Sequence, residues 1–311
     1  MTGLPHFDAA AIAAVMDMAS CIEALRIGSR ELGDLHPRAH VPLGPGDDFL
    51  MMPAVSSAGI GVKVVNVVSS NPARGLPLIH GFYLYCDRET GVPKATLDGS
   101  ALTTLRTPAA SALAADVLAR PDVTSLGIFG TGVQARGHLE AMLVVRPNVD
   151  RIVACGRTPE SAAAFMADPA VVDLAGGRRL EAGTPGQTAA CDLVCGCTTS
   201  TEPVVPTDAV RPGAHVGLVG SYSTARREVF PELLQRASVF VDDRGAAADE
   251  AGDLILAVEA DEWSFDAVVG DLAGLCLGTV GRSSDDEVTL FKSVGLAVWD
   301  LMVAGTVVRA S

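Results

Sequence analysis

The sequence predicts an α/β protein in which an α+β segment precedes a parallel sheet flanked by helices. Three observations carry this. A length of 311 residues corresponds to about two domains at roughly 150 residues each. From Pro121 onward, strand-length apolar runs alternate with helix-length amphipathic ones, the βαβα rhythm that builds a parallel sheet. Before about residue 118 strands and helices mix without that rhythm.

In chain order, residues 22–32 carry helical periodicity, and residues 61–68 form a Val-rich strand interrupted by Lys63. Residues 81–86 and 93–97 flank the turn signal Asp87-Arg88-Glu89-Thr90-Gly91 and predict a hairpin. Beyond Pro121 the expected order is strand 125–129, a Gly-rich turn, helix 134–145, strand 151–155 and helix 160–167. Further strands fit residues 192–197, 215–219 and 239–242, each followed by Gly, Ser, Thr or Asp, where ligands of parallel sheets collect. Residues 286–304 read as one amphipathic helix.

Composition narrows the function classes. Hydrophobic residues make up 49% and aromatic ones 5%, so the core is built from Ala, Val, Leu and Ile, and long disorder is excluded. The formal charge of -14 repels phosphate backbones and anionic lipid surfaces, so nucleic acid and membrane are poor partners. Mean hydropathy is +0.33, but no apolar run reaches the roughly 18 residues a membrane helix needs. No secretion signal is visible, which predicts a cytoplasmic protein. Seven cysteines without paired clusters read as reduced thiols, and no metal site is indicated.

The strongest local motif is Gly130-Thr131-Gly132-Val133-Gln134-Ala135, between a predicted strand and a predicted helix. Gly130 permits the tight turn, Gly132 lets a pyrophosphate approach the backbone, and Ala135 lets the helix pack closely on the sheet. The free N–H groups and dipole of the helix N-terminus would hold the anion. In its strand–turn–helix context the motif reads as a Rossmann-type dinucleotide site, the alternative being a merely structural Gly turn. An NAD site places an acid after the second strand, but here Arg157 and Thr158 follow Gly156 and the first acid is Glu160. Arg157 and Thr158 suit a 2'-phosphate, so NADPH is the expected coenzyme with NADH possible; the alternative is that Arg157 is a solvated loop residue.

Other candidates stay open on the residues alone. Lys63 is either a buried ammonium with a lowered pKa, suited to anion binding and proton exchange, or a lysine on an exposed strand face. Arg106 precedes Thr107-Pro108, read as an N-cap and first helical position where an anion could dock, or it only packs its own neighbourhood. Arg38, in His36-Pro37-Arg38-Ala39-His40, is weaker alone. His138 and His215 read as ordinary surface or core histidines, and Asp242-Asp243 as a solvated turn. Ser221 lacks the surroundings of a nucleophile elbow, which disfavours hydrolase chemistry.

Taken together, Leu50-Met51-Met52-Pro53, Gly61-Val62-Lys63, residues 71–77, residues 97–107, the Gly130 motif, Arg227-Glu228, Glu250-Ala251-Gly252-Asp253 and residues 290–295 resemble the ornithine cyclodeaminase/mu-crystallin family from about residue 20 to 305. The resemblance implies a discontinuous substrate-binding and dimerisation domain, residues 1–118 with 285–311, around a Rossmann domain of residues 119–284, and a homodimer. It implies that Arg38, Met52, Lys63 and Arg106 hold the substrate, with Arg38, Lys63 and Arg106 catalytic. It implies that Thr107, Gly130, Gly132, Val133, Gln134, Ala135, Arg157, Thr158, Thr198 and Ser293 surround the dinucleotide.

The departures bear on the substrate. The family's cyclodeaminases carry two carboxylates for the distal amine of ornithine, at the places where this chain has Leu50 and Tyr222; a second ammonium would be poorly paired, so ornithine is disfavoured. Residues 36–40, 71–77, 217–222 and 270–272 resemble the members that reduce Δ1-pyrroline-2-carboxylate to L-proline, and the six-membered homologue to L-pipecolate is a second expected conversion. Alanine dehydrogenase and a ligand-binding protein of mu-crystallin type are the alternatives within the resemblance.

Overall fold

A computed structural model describes residues 3–32, 35–220 and 223–311. The chain divides into two compact units, Met1–Arg106 with Leu296–Ser311, and Thr107–Gly295. The sequence placed these divisions at 118/119 and 284/285. Both differences have local causes, given below.

The first unit contains β1 (His6–Phe7), α1 (Ala9–Val15), α2 (Met18–Ser29), β2 (Ala39–Gly44), β3 (Asp47–Ser56), β4 (Gly59–Val67), β5 (Ile79–Cys86), β6 (Pro93–Asp98), the start of α3 (Gly99–Leu118) and the final helix, here α12 (Ala297–Ala310). Its sheet runs β1-β6-β5-β4-β3-β2, antiparallel except for the short β1/β6 pair. The predicted hairpin joins β5 to β6, and Asp87 organises its turn by accepting from the Thr90 amide and hydroxyl. Strand alternation puts Leu50, Met52 and Ala54 of β3, Gly61, Lys63 and Val65 of β4, and Tyr83 and Tyr85 of β5 on the buried face. Helix α12 packs on β3 and β4 and buries Trp299 and Leu301, each such side chain contributing about 1.5–3 kcal/mol.

Helix α3 starts earlier than predicted. The Asp98 carboxylate accepts from the amides of Ser100 and Ala101, which starts the helix at Gly99 and leaves Thr107-Pro108 in its interior. Pro108 does not end it; the ring only removes a donor for the carbonyl one turn earlier. The division between the units falls within this helix, at Arg106/Thr107.

The second unit contains eight parallel strands among the described residues: β7 (Ser125–Phe129), β8 (Arg151–Cys155), β9 (Arg179–Ala182), β10 (Leu193–Gly196), β11 (His215–Leu218), β12 (Ser238–Val241), β13 (Val268–Asp271) and β14 (Thr289–Lys292). Their order is β13-β12-β14-β11-β10-β7-β8-β9. Between them run α4 (Val133–Val145), α5 (Pro159–Ala167), α6 (Pro169–Ala175), α7 (Pro185–Ala189), α8 (Pro231–Arg236), α9 (Arg244–Glu250), α10 (Gly252–Glu259) and α11 (Leu272–Leu277). This is the α/β Rossmann-type architecture the sequence predicted. Strand order reverses about β7, with β8 on one side and β10 on the other, so the crevice beyond β7 and β10 is where such sheets bind ligands.

The expected helix over 286–304 is instead a strand, a turn and a helix. Thr289–Lys292 is wholly buried between β11 and β12, so its pattern carries no alternation to mark it as a strand. Gly295, at φ +85°, separates it from α12. Strand β14 thus belongs to the parallel sheet, which moves the second division to 295/296. No helix among the described residues is long and apolar enough to cross a membrane.

Candidate active site

In the first unit, β4 settles the alternatives for Lys63, which points inward and is 1% exposed. Its Nζ donates to Asp300 Oδ2 at 2.7 Å and to Thr103 Oγ1 at 3.1 Å. Arg106, reaching in from α3, donates through Nε to Asp300 Oδ1 at 3.4 Å. Met52 and Tyr83 are the cross-strand neighbours of Lys63, and both are buried. Burial first, then the positive charges of Arg106 and Arg38, push Lys63 down to about 7 against the opposing pull of Asp300. Arg38 is half-buried in the segment before β2. Lys63, Arg106, Arg38 and Met52 therefore belong to one neighbourhood. Arg106 owes its place to the helix interior rather than to a helix start.

Asp300 was missed. In the sequence it only interrupts an apolar run near the C-terminus, and nothing local signals that its side chain meets residues about 190 and 240 positions earlier.

In the second unit, the Gly130 motif forms the predicted strand–turn–helix. Gly130 has φ +108°, and a Cβ there would come within 2.5 Å of the Cys197 carbonyl oxygen, so the β7 and β10 loops meet closely enough to require glycine. Gly132 caps α4 without any side-chain bond, and a Cβ on it would meet nothing within 4 Å. The N-terminus of α4 is therefore uncapped by any side chain and uncrowded at Gly132, as a pyrophosphate held there would require. Val133 and Gln134 open the helix, and Ala135 is buried against the sheet. Arg157 is exposed after β8; Thr158 caps α5, accepting from Ser161 N at 3.2 Å. Thr107 lies mid-helix in α3.

Three buried carboxylates, Glu228, Asp253 and Asp242, shape the strand ends, a role that sequence reasoning missed for all of them. Glu228 accepts from Thr198 N and Oγ1 and from Gly220 N, each at 2.8 Å. A Cβ on Gly220 would lie 2.5 Å from that carboxyl group. Asp253 takes the Glu228 and Val229 amides and pairs with buried Lys292 at 2.9 Å. Asp242 corrects the expectation of a solvated turn: it is 1% exposed and accepts from Ser293 Oγ at 3.0 Å and from Val294 N and Gly295 N at 2.7 Å. Burial raises both Glu228 and Asp242. Thr198 and Ser293, both expected around the dinucleotide, are thus held by buried acids.

His138 and His215 are core residues, lowered by burial to about 4 and about 3 and bonded to Ser111 and Thr289. Ser221 and Tyr222 lie outside the described residues. The seven cysteines carry no disulfide, and no group of three metal-ligating side chains occurs among the described residues.

The Ornithine cyclodeaminase/mu-crystallin family matches residues 11–310. The chain belongs to this family. It is 34% identical over 296 residues to the Delta(1)-pyrroline-2-carboxylate reductase of Paracoccus denitrificans, covering 93% of this chain and 91% of that protein. The Thermococcus litoralis Delta(1)-pyrroline-2-carboxylate reductase, solved with NADH and L-proline, superposes with a TM-score of 0.93 at 29% identity over 99% of this chain and 97% of that one. An archaeal alanine dehydrogenase dimer with bound NAD gives 0.92 at 27% identity, over 99% and 95%.

Proposed function

We propose that the protein reduces the C=N bond of a cyclic imino acid with a nicotinamide coenzyme, converting Δ1-pyrroline-2-carboxylate to L-proline and its six-membered homologue to L-pipecolate. The observation that carries this reading is the charge balance of the first unit. Two buried cations, Lys63 and Arg106, share one buried carboxylate, Asp300, among the described residues, and Arg38 adds to the positive field at Lys63, an environment that suits one carboxylate of a small substrate. Leu50, where ornithine would need an acid for its second ammonium, is buried in an apolar cluster with Val65 and Val67.

Arg106 bonds Asp300 through Nε, leaving the edge formed by its terminal nitrogens for a bidentate carboxylate grip. Arg38 supplies the second cation. Lys63 neutralises the carboxylate and keeps the imine nitrogen protonated, a task suited to a group titrating near 7. The bound nicotinamide would supply the hydride. Gly130, Gly132, Val133, Gln134 and Ala135 would hold its pyrophosphate, with Thr107, Thr198 and Ser293 nearby and Arg157 and Thr158 toward the 2'-phosphate of NADPH.

The reading is tested by following oxidation of NADPH and of NADH with each cyclic imino acid and with pyruvate plus ammonia. Oxidation is expected with the cyclic imines, faster at limiting NADPH than at limiting NADH, and Arg157→Ala should raise KM for NADPH more than for NADH. Turnover only with pyruvate and ammonia would make the protein an alanine dehydrogenase; coenzyme binding without turnover would make it a ligand-binding protein.

The proposed homodimer has its own support. The outer face of the first sheet aligns Met51, Val64 and Phe82 in one cross-strand row and Pro53, Val62 and Leu84 in the next. Phe82 is 46% exposed, and a contiguous apolar face of this kind marks an interaction surface. Sedimentation equilibrium should give twice the chain mass, and Val62→Asp, which sets a charge in the middle of the face, should return the protein to monomer. A wild-type monomer would remove the dimer.

A further inference from the structure

Asp300 has no exposed surface, and a buried carboxylate is costly unless cations and donors surround it. Its two oxygens are divided between two cations, Oδ2 taking Lys63 Nζ at 2.7 Å and Oδ1 taking Arg106 Nε at 3.4 Å. Lys63 comes from a strand and Arg106 from a helix, so this carboxylate, carried on a third element, fixes the spacing of the two groups. Among the described residues, the other polar groups facing the cluster include Thr103 of α3, Arg38 before β2, Tyr83 of β5 and Cys21 of α2. Burial holds the Tyr83 phenol and the Cys21 thiol up, Cys21 to about 12, so both stay neutral and Lys63 is the group that titrates near neutrality.

We propose that Asp300 is the positioning residue of this site, its carboxylate deciding whether Lys63 is charged and orienting the guanidinium of Arg106 for the substrate carboxylate. The catalytic consequence rests on the reductase reading; the charge state of Lys63 does not. Without the carboxylate, the ammonium would keep the Thr103 hydroxyl but face the positive charges of Arg106 and Arg38, and would lose its proton at working pH. The imine nitrogen would then have no cationic donor, and Arg106 would lose the anchor on its inner edge.

The chain has only three lysines, Lys63, Lys94 and Lys292, so the titration can be read directly. In protein labelled with 13C at lysine Cε, the Lys63 resonance is assigned by its loss in Lys63→Met and followed against pH without coenzyme or substrate. Asp300→Asn is expected to lower the Lys63 midpoint by about one to three pH units. The alkaline limb of kcat/KM should move by the same amount, with the coenzyme dissociation constant unchanged. An unmoved midpoint overturns the proposal. A moved midpoint in a protein that turns over no imine supports the role of Asp300 and refutes the reductase reading instead. If Asp300→Asn alone does not fold, adding Lys63→Met should restore folding by removing the buried amine left without its acceptor; a double variant that stays unfolded overturns the proposal.

Discussion

Lys63→Met is expected to lower kcat/KM for a cyclic imino acid by roughly a hundred- to ten-thousandfold, the range lost when a positioned proton-holding group is removed. Methionine keeps much of the volume in the row between Met52 and Tyr83, so the sheet has no large cavity to collapse into. What disappears is one charge. In the wild-type protein, protonated Lys63 is the active form, and burial has brought its pKa down to about 7, so kcat/KM should fall as pH rises through that value. Lys63→Met should lose this limb altogether and show a flat, low profile across the same window. Coenzyme affinity, measured by fluorescence titration, should be unchanged, because the Gly130 loop belongs to the other unit. A variant that keeps both the limb and the rate would return Lys63 to a structural lysine.

Arg106→Lys is expected to cost roughly 2 to 4 kcal/mol in kcat/KM although the charge is retained, by analogy with breaking a buried, hydrogen-bonded charge pair. Arginine can bond Asp300 with one edge of its guanidinium and the substrate with the other. A lysine is a point donor and must choose between them. If it stays with Asp300, the substrate carboxylate loses its bidentate grip and the imine carbon is less well oriented. The melting temperature should fall little, since a cation still reaches Asp300. Near-normal kcat/KM would show that Arg106 only packs its neighbourhood, whereas a collapsed melting temperature would show that it holds the fold.

The fold was legible where local signals are strong. The turn at Asp87, the Gly130 motif between β7 and α4, and the strand of Lys63 all follow from residues close in sequence. The sequence failed where local patterns mislead or distant contacts decide. Thr107-Pro108 carries the chemistry of a helix start, yet the Asp98 carboxylate starts the same helix eight residues before Thr107. Residues 289–292 are apolar on both faces because β14 is central, and a short two-sided run is indistinguishable from part of a buried helix. The cations of the site could be found from their types and the resemblance. Their shared counter-ion could not, because Asp300 is brought to them only by the return of α12 to the first unit. Asp242 misled for the same reason: two adjacent acids after a strand usually face water, and the path of the chain after β14 supplies three of its donors.

Two of the three lysines, Lys63 and Lys292, are fully enclosed and ion-paired, and Lys94 on β6 remains. Amine-directed chemistry therefore meets a surface with one lysine side chain, since acylating reagents leave the arginines alone; the α-amino group of the chain is their other target. A dye or resin linker of that kind would couple at a single lysine, Lys94, while the two interior amines stay out of reach. The scarcity of accessible lysines thus confines side-chain acylation to one point, with both buried ion pairs intact.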